Sequence, residues 1–99
     1  MTFVTTQPEL LSTAASQLAG IGSELAAQNA AAVGPTTGVV PAAADEISTL
    51  TAAQFVSQAA MYQAVSAHAE AVHELFVDAL GTSADSYAAT EAANASSAS

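Results

Sequence analysis

Glu70 and His73 are the residues whose spacing could bind a metal, because they form an ExxH sequence. Two residues three apart share a face of a helix, and di-iron proteins use this spacing for two of their ligands. Such a centre needs a second ExxH and two further carboxylates, and the sequence contains a single ExxH. We therefore predict no metal site and place both side chains on a solvated helix surface. An enzyme with a metal at Glu70 and His73 is the alternative.

The remaining polar residues do not form a recognisable catalytic set. His68 lies within an apolar stripe, where a packed core or interface residue is expected and a pH switch is the alternative. The letters after His73 read HELF rather than HExxH, which excludes a zincin. A nucleophilic serine needs a base and an orienting group in a formed pocket. We predict a non-enzymatic protein with no cofactor and no small-molecule substrate.

The charge of the chain excludes several classes of partner. The 99 residues include nine Asp and Glu, no Lys or Arg and no Cys, for a formal charge of −9. Such a chain repels nucleic-acid phosphates and anionic membrane surfaces. Its hydrophobic content is 52%, much of it alanine, which favours helix but buries little area. The large apolar residues are therefore few for a domain that folds alone.

Two kinds of membrane-related segment are also disfavoured. The start, MTFVTTQPELL, lacks the cationic and long apolar regions of a secretory signal peptide. The uncharged run from Ile47 to Ala69 is long enough to span a bilayer, but it contains many Ser, Thr and Gln residues. A transmembrane helix is therefore not expected.

The first helix is predicted from a capping signal and from a heptad, in which Leu11, Leu18 and Leu25 are each seven residues apart. The letters TQPE are typical of a capping box, in which Thr6 and Glu9 each accept from the other's amide. Pro8 loses no ladder hydrogen bond in a first turn. A helix is expected from about Pro8 to about Ala32. Its narrow apolar face contains Leu10, Leu11, Ala14, Leu18, Ile21 and Leu25.

A loop and a longer helix should follow. The letters VGPTTGVVP, residues 33–41, contain two prolines and two glycines and predict a loop. The second helix is expected over about residues 42–80, with Asp45 and Glu46 near its positive end and Gly81 as its stop. One apolar stripe of this helix contains Ile47, Leu50, Met61, Val65, Val72, Leu75 and Ala79. A second contains Phe55, Tyr62, Ala69 and Phe76, with Leu80 beside it, and the far side carries Gln63, Glu70, Glu74 and Asp78.

The two helices predict a hairpin that cannot cover its own apolar surface. The first helix can cover only one stripe of the second. At the predicted lengths it starts beside about residue 66, so that residues 67–80 overhang. Exposed apolar patches of this size indicate an interaction surface. We expect the hairpin, residues 1–81, to supply half of a larger helical bundle.

The segment after the predicted helix end contains one aromatic residue, Tyr87, and a glutamate, Glu91, one helical turn later. Residues 82–99 are predicted to be a largely flexible tail, and within it Tyr87 and Glu91 are four residues apart. On a helical turn this spacing presents both side chains together. A YxxxE sequence is common by chance, so its significance depends on its place in the chain.

Taken together, the chain resembles the PE family of mycobacteria. The resemblance is carried by Phe3 and Val4 near the start, by Pro8 and Glu9, by PTTGVVPAAADEIS at the turn, and by HELFVDALGTSADSYAATEAAN. It covers essentially the whole chain. Many members continue into longer regions, so this chain is either a short PE protein or the PE domain of a longer one.

The resemblance implies a function in pairing and export. PE proteins form a heterodimer with a PPE protein, a four-helix bundle exported by type VII secretion, and an EspG-type chaperone holds the PPE partner. In that class a YxxxD/E signal follows the hairpin, here Tyr87 and Glu91. The sequence names neither the PPE partner nor the particular ESX system, and the resemblance of the tail favours the fifth. The expected partner-binding residues are Leu11, Leu18, Ile21, Leu25, Phe55, Tyr62, Val65, Val72 and Phe76. The alternative is a homo-oligomeric helical hairpin of WXG-like type.

Overall fold

The computed structural model describes residues 4–99, and in this range the chain forms two α-helices and no strand. Helix α1 is Pro8–Thr37 and helix α2 is Glu46–Ala98, with residues 38–45 between them. The predicted fold class, an all-α helical hairpin, is confirmed. No helix in the described range has the length and apolarity needed to cross a bilayer.

The hairpin divides into two compact units, and each is an antiparallel pair of helix segments. The end unit contains the described residues up to Gly22 together with His73–Ser99. The loop unit is Ser23–Val72 and includes the connection between the helices. Each helix therefore contributes one segment to each unit.

Helix α1 begins at Pro8 as predicted, but the capping box does not form. The first turn is closed by the amide of Leu10, which donates to the carbonyl of Gln7 at 3.0 Å. With Pro8 as the first helical residue, Gln7 is the N-cap, and Thr6 is one position too early to pair with Glu9. The amide of Thr6 donates instead to Glu91 at 2.8 Å, from the far end of α2.

Helix α1 continues beyond the predicted end at Ala32, through Pro35 to Thr37. A proline in a helix crowds the carbonyl four residues earlier and the N–H and Cβ of the residue before it, and Gly34, which has no Cβ, removes part of this crowding. The hydroxyl of Thr36 donates to the carbonyl of Ala32 at 2.6 Å, which adds a hydrogen bond to the last turn. The predicted loop at residues 33–41 is therefore wrong, and the loop is residues 38–45.

Helix α2 begins at Glu46, four residues later than predicted, because Asp45 is its N-cap. The carboxylate of Asp45 accepts from the amide of Ser48 at 2.8 Å and from its hydroxyl at 2.9 Å. These two hydrogen bonds, the amide first, hold the pKa of Asp45 below its ordinary value of 3.8. The side chain stabilises the start of the helix by accepting from a donor that the helix itself leaves free.

Helix α2 does not stop at Gly81 but continues to Ala98. No glycine in the described range has a positive φ, so Gly81 has the helical conformation rather than that of a C-cap. Three residues later Ala84 is 1% exposed, which shows that the helix beyond Gly81 is packed. The prediction that residues 82–99 form a flexible tail outside the helix is therefore wrong. A glycine destabilises a helix by only about 1 kcal/mol relative to alanine, and packing overrides that preference.

The surface shared by the two helices, here called the seam, consists mostly of small and polar residues. Along α1 the buried and half-buried positions include Leu11, Ala14, Ala15, Leu18, Gly22, Ala26, Asn29 and Ala32. Along α2 they include Ala52, Val56, Ala59, Gln63, Ser66, Glu70, His73, Val77, Leu80 and Ala84. Small side chains let two helix axes approach closely.

The seam corrects the predicted orientation of α2. One of its two apolar stripes was expected to face α1, and both face outward apart from half-buried Leu80. The predicted far side is also partly wrong, since Gln63 and Glu70 are half-buried in the seam while Glu74 and Asp78 are exposed as predicted. Helical periodicity identifies faces, but it does not identify which face a partner helix covers.

The predicted overhang of residues 67–80 is wrong as well. Thr6, just before α1, contacts Glu91 rather than a residue near position 66. The offset lies at the other end, in the loop unit, where Asn29 contacts Tyr62. About two turns of α1 follow Asn29, whereas about four turns of α2 precede Tyr62. The loop, residues 38–45, spans that difference.

Candidate interaction surfaces

The exposed large apolar side chains form the most prominent surface feature of the hairpin. Seven of the predicted partner-binding residues are more than half exposed. They are Ile21, Leu25, Phe55, Tyr62, Val65, Val72 and Phe76. The other two, Leu11 and Leu18, are half-buried in the seam. The structure thus exposes seven residues of this set and places the other two between the helices, while their role in binding a partner stays a prediction.

The outward surface is larger than the predicted set. The residues of the first stripe of α2 are exposed too: Ile47, Leu50, Met61 and Leu75. On a helical wheel the two stripes lie side by side. On α1, Leu10 and Ile21 in the end unit and Leu25 in the loop unit are exposed as well, and we use the term apolar face for the exposed large apolar side chains of either unit. Sequence reasoning assigned one of these stripes to the hairpin contact and so underestimated this face.

His68 lies on the apolar face, in the loop unit. It is exposed and lines an open groove of about 480 Å³. The rest of the lining is aliphatic: Ala64, Val65, Ala69 and Val72. The groove is shallow and lies along one helix, as expected for a surface that receives side chains of a second protein.

Tyr62 has a polar anchor within the hairpin. Its hydroxyl donates to Oδ1 of Asn29 at 2.7 Å. The side-chain amide Nε2 of Gln63 donates to the backbone carbonyl of Asn29 at 2.9 Å. Asn29 is 8% exposed, so these hydrogen bonds satisfy polar atoms that water reaches poorly. The ring of Tyr62 remains exposed while its hydroxyl fixes the pairing of the two helices.

His73 has a similar role in the end unit. Its Nε2 lies 2.6 Å from the carbonyl oxygen of Leu18, and a carbonyl can only accept, so Nε2 donates. A Cβ at Gly22 would lie 2.8 Å from the imidazole Cδ2, which shows how closely the ring packs on that backbone. The prediction of a solvated surface for His73 and Glu70 is wrong, because α1 covers this side of α2. No group of three or more potential ligands lies together in residues 4–99.

The predicted signal residues lie on α2 rather than in a separate tail. Tyr87 is 48% exposed, and Glu91, one turn later, is half-buried against Thr6. Both hydrogen bonds from Thr6 end on Oε1 of Glu91, the amide at 2.8 Å and the hydroxyl at 2.9 Å. The ring and the carboxylate therefore share one helical turn, and the carboxylate is held by Thr6, two residues before the start of α1.

Pro8 and Glu9 lie beside this turn. They line a groove of about 420 Å³ with Asp85, Glu91 and three small residues, Ser12, Ala84 and Ala88. Three carboxylates around one groove give this end of the hairpin a negative potential. Phe3, which contributes to the family resemblance, lies outside the described residues.

Sequence reasoning missed three residues of these surfaces. Thr6 was read only as a cap, Gly22 was not singled out, and Asn29 was not identified as a buried polar residue. An asparagine in an alanine-rich helix and a glycine within a heptad are signals that could have drawn attention to Gly22 and Asn29. No signal in the sequence pairs Thr6 with Glu91, because their contact joins distant parts of the chain.

Comparison with known proteins identifies the family of the chain. The model of the PE family matches residues 4–94. The chain is 61% identical to the PE family protein PE13 of Mycobacterium tuberculosis, over all 99 residues and the full length of both proteins.

Other relatives are much longer than this chain. PE8 of M. tuberculosis is 53% identical over 98 residues, which are 99% of this chain and 36% of that protein. The PE-PGRS family protein PE_PGRS33 is 56% identical over 95 residues, or 96% of this chain and 19% of that protein. The chain thus spans about a third and a fifth of these two relatives. The family match and the identity to PE13 together show that the chain belongs to the PE family.

Proposed function

We propose that the chain is the PE half of a PE/PPE heterodimer, in which the apolar face packs lengthwise on two helices of a PPE protein. The observation that carries this proposal is the exposure of large side chains on both helices, with Phe55 63% and Val65 68% exposed. Buried apolar area stabilises an association by about 25 cal/mol per Å² before the costs of binding. A partner that covers this face completes a four-helix bundle.

The exposed area supports an unfilled interface. The chain exposes 7292 Å² for a mass of 9.7 kDa. A compact monomer of that mass exposes about 5,100 Å². Large obligate interfaces bury about 2,000–5,000 Å² in total, or about 1,000–2,500 Å² on each partner, and the excess of about 2,200 Å² on this chain lies within that range.

The charge of the chain favours a different protein over a second copy. Each copy carries −9, and the chain has no Lys or Arg with which to form salt bridges across a homodimer. Two such surfaces repel at close range. A homo-oligomer is therefore the second candidate, and a partner that carries basic residues fits the surface better.

The proposed role also includes export. Tyr87 and Glu91 occupy one turn near the end of α2, with the ring half exposed. We infer that the type VII secretion machinery reads this turn after the pair has assembled in the cytoplasm, while an EspG-type chaperone holds the PPE partner. The pair then reaches the cell envelope or the medium. In this role the chain acts by binding, without a catalytic step.

Co-expression with candidate PPE chains tests the pairing. Phe76→Asp should abolish co-purification, because the complex would bury an unpaired charge. Asp78→Ser, an exposed change on the polar side of the same helix, is the matched control and should pair normally. Unchanged co-purification of the Phe76 variant would contradict the proposal. A stable homodimer that no PPE chain displaces would favour the second candidate.

A secretion assay tests the export role separately. Tyr87→Ala should leave pairing intact, because the ring is half exposed and lies outside the seam, and should stop export. Thr90→Ala, on the same helix, serves as the control, because among the described residues the hydroxyl of Thr90 bonds only to the carbonyl of Ser86. Normal secretion of the Tyr87 variant would show that this turn is not the signal.

A further inference from the structure

We propose that Thr6 is a positioning residue for the export turn, which it holds in a fixed orientation by binding the carboxylate of Glu91. This inference rests on the proposed export function of Tyr87 and Glu91. It adds a third residue, 85 positions from Glu91 in the chain, which acts on recognition by holding the carboxylate of Glu91. We call the contact between Thr6 and Glu91 the clasp.

The geometry of the clasp supports this role. Both donors of Thr6, the amide and the hydroxyl, bind the same oxygen, Oε1, at 2.8 and 2.9 Å. No residue in the described range donates to the second oxygen, Oε2. One oxygen is thus fixed by the hairpin, and the other can accept a hydrogen bond from a receptor. Hydrogen bonds to a carboxylate are stronger than those between neutral groups, and two of them fix a side chain that otherwise rotates freely.

The place of the clasp in the fold explains why it is needed. Thr6 precedes the first turn of α1, so its amide is not used by the helix ladder. Glu91 lies two turns from the end of α2, in an alanine- and serine-rich stretch with no basic residue in its last turn. Such a helix end frays easily, since it lacks both large apolar contacts and a favourable charge at its C-terminus. The clasp ties this end to the start of α1.

A fixed turn is recognised more tightly than a mobile one. Tyr87 and Glu91 lie one turn apart, and a receptor that binds both must otherwise order the helix and the glutamate side chain. With the clasp formed, this ordering has taken place within the hairpin. Losing it should weaken recognition roughly two- to tenfold, the range expected for immobilising one side chain.

Four variants of the full chain, paired with its PPE protein, separate this role from a structural one. Thr6→Val removes the hydroxyl, and Thr6→Pro removes the amide donor as well. Thr6→Ser keeps both donors and should restore wild-type behaviour. Thr5→Val changes the adjacent exposed threonine, which forms no side-chain hydrogen bond in residues 4–99, and is the matched control.

Two measurements on the same variants decide the outcome. Hydrogen exchange of amides 87–98 should be roughly two- to tenfold faster in the Val and Pro variants and unchanged in the Ser variant. Export should fall in the same two variants, with normal pairing and normal helicity by circular dichroism. Unchanged exchange in Thr6→Pro would show that no clasp forms in solution. Faster exchange with undiminished export would show that the clasp does not position the signal.

The Tyr87→Ala variant distinguishes a failure of this inference from a failure of the export function. It should block export while amides 87–98 keep their protection, because the clasp does not involve the ring. If Tyr87→Ala exports normally, the export function itself is wrong, and the role of Thr6 in export is wrong with it. If only the Thr6 variants export normally, the export function stands and the positioning role is overturned.

Discussion

The imidazole of His73 lies where a side chain at residue 22 would begin. A Cβ there would be 2.8 Å from Cδ2 and 2.9 Å from Nε2, closer than real Cβ contacts. The ring cannot move away from residue 22 without breaking the hydrogen bond from Nε2 to the carbonyl of Leu18. At the scale of single residues, therefore, the absence of one methyl group allows a polar contact that fixes how α1 and α2 pair in the end unit.

Alanine substitutions at two glycines of α1 test whether the ring of His73 packs on Gly22. Gly22→Ala should destabilise the fold by about 1–3 kcal/mol through overpacking, less the gain of about 1 kcal/mol in helix propensity. Gly20→Ala meets no atom within 4 Å and should stabilise the fold by about 0.5–1 kcal/mol. Urea unfolding followed by circular dichroism measures both. Equal stabilisation by the two substitutions would show that His73 does not pack on Gly22 in solution.

At the scale of the helices, three of the four predicted ends differ from the structure. The start at Pro8 was predicted correctly, while the ends near Ala32 and Gly81 and the start near residue 42 were not. In each case a local signal was read as a boundary. Gly34 reduces the crowding around Pro35 inside α1. Asp45 caps α2 four residues after the start that Pro41 suggested, and α2 continues past Gly81 because it is packed at Ala84.

The cap at Asp45 predicts a pH dependence. The pKa of Asp45 is lower in the folded chain than in the unfolded one, so its contribution to stability is present above the ordinary value of 3.8. It is lost as the pH falls through the lower, folded pKa. Asp45→Ala should lower the stability and helicity of α2 at neutral pH. Asp45→Asn also caps well but does not ionise, and so serves as the control.

Unfolding of the three chains between pH 7 and pH 2 provides the test. As the pH falls below about 4, the wild type should lose stability relative to Asp45→Asn, because only the wild-type side chain becomes protonated. A difference that stays constant over this range would show that the carboxylate of Asp45 does not carry the cap.

Gly81 distinguishes a continuous α2 from a helix that stops. In a continuous helix with nothing within 4 Å of the added Cβ, Gly81→Ala should stabilise the chain by about 0.5–1 kcal/mol. A glycine that ended the helix in the left-handed conformation would instead lose about 1 kcal/mol or more on substitution. Thermal unfolding gives the sign, and hydrogen exchange of residues 82–90 should slow in parallel.

At the scale of the whole molecule, the hairpin holds itself together with small residues and exposes its large ones. Within residues 4–99 the buried apolar residues are Ala15, Ala52 and Ala84, whereas Leu75 and Val65 are each more than two-thirds exposed. This distribution is the reverse of that in a self-sufficient domain. It is the distribution expected of a chain whose largest apolar contacts are made with another protein.

Substitutions on either side of α2 test this distribution. Leu75→Ala should change the stability of the isolated chain by no more than about 0.5 kcal/mol, since the side chain is 69% exposed. Ala84→Leu, at a residue 1% exposed, should cost about 1–3 kcal/mol by overpacking. A loss of 2–5 kcal/mol for Leu75→Ala would mean that Leu75 lies in the core of the hairpin. Urea unfolding of the chain alone provides both values.

The sequence by itself determined the helical class, the start of α1, the presence of an exposed apolar surface and the place of Tyr87 and Glu91 on a shared face. These features follow from composition, local capping signals and helical periodicity, which depend on residues near each other in the chain. Tertiary structure alone decided which face of α2 meets α1, how far each helix extends and that Thr6 binds Glu91. Those outcomes depend on contacts between residues 33 to 85 positions apart. Local propensities of about 1 kcal/mol are too small to oppose the packing that such contacts bring.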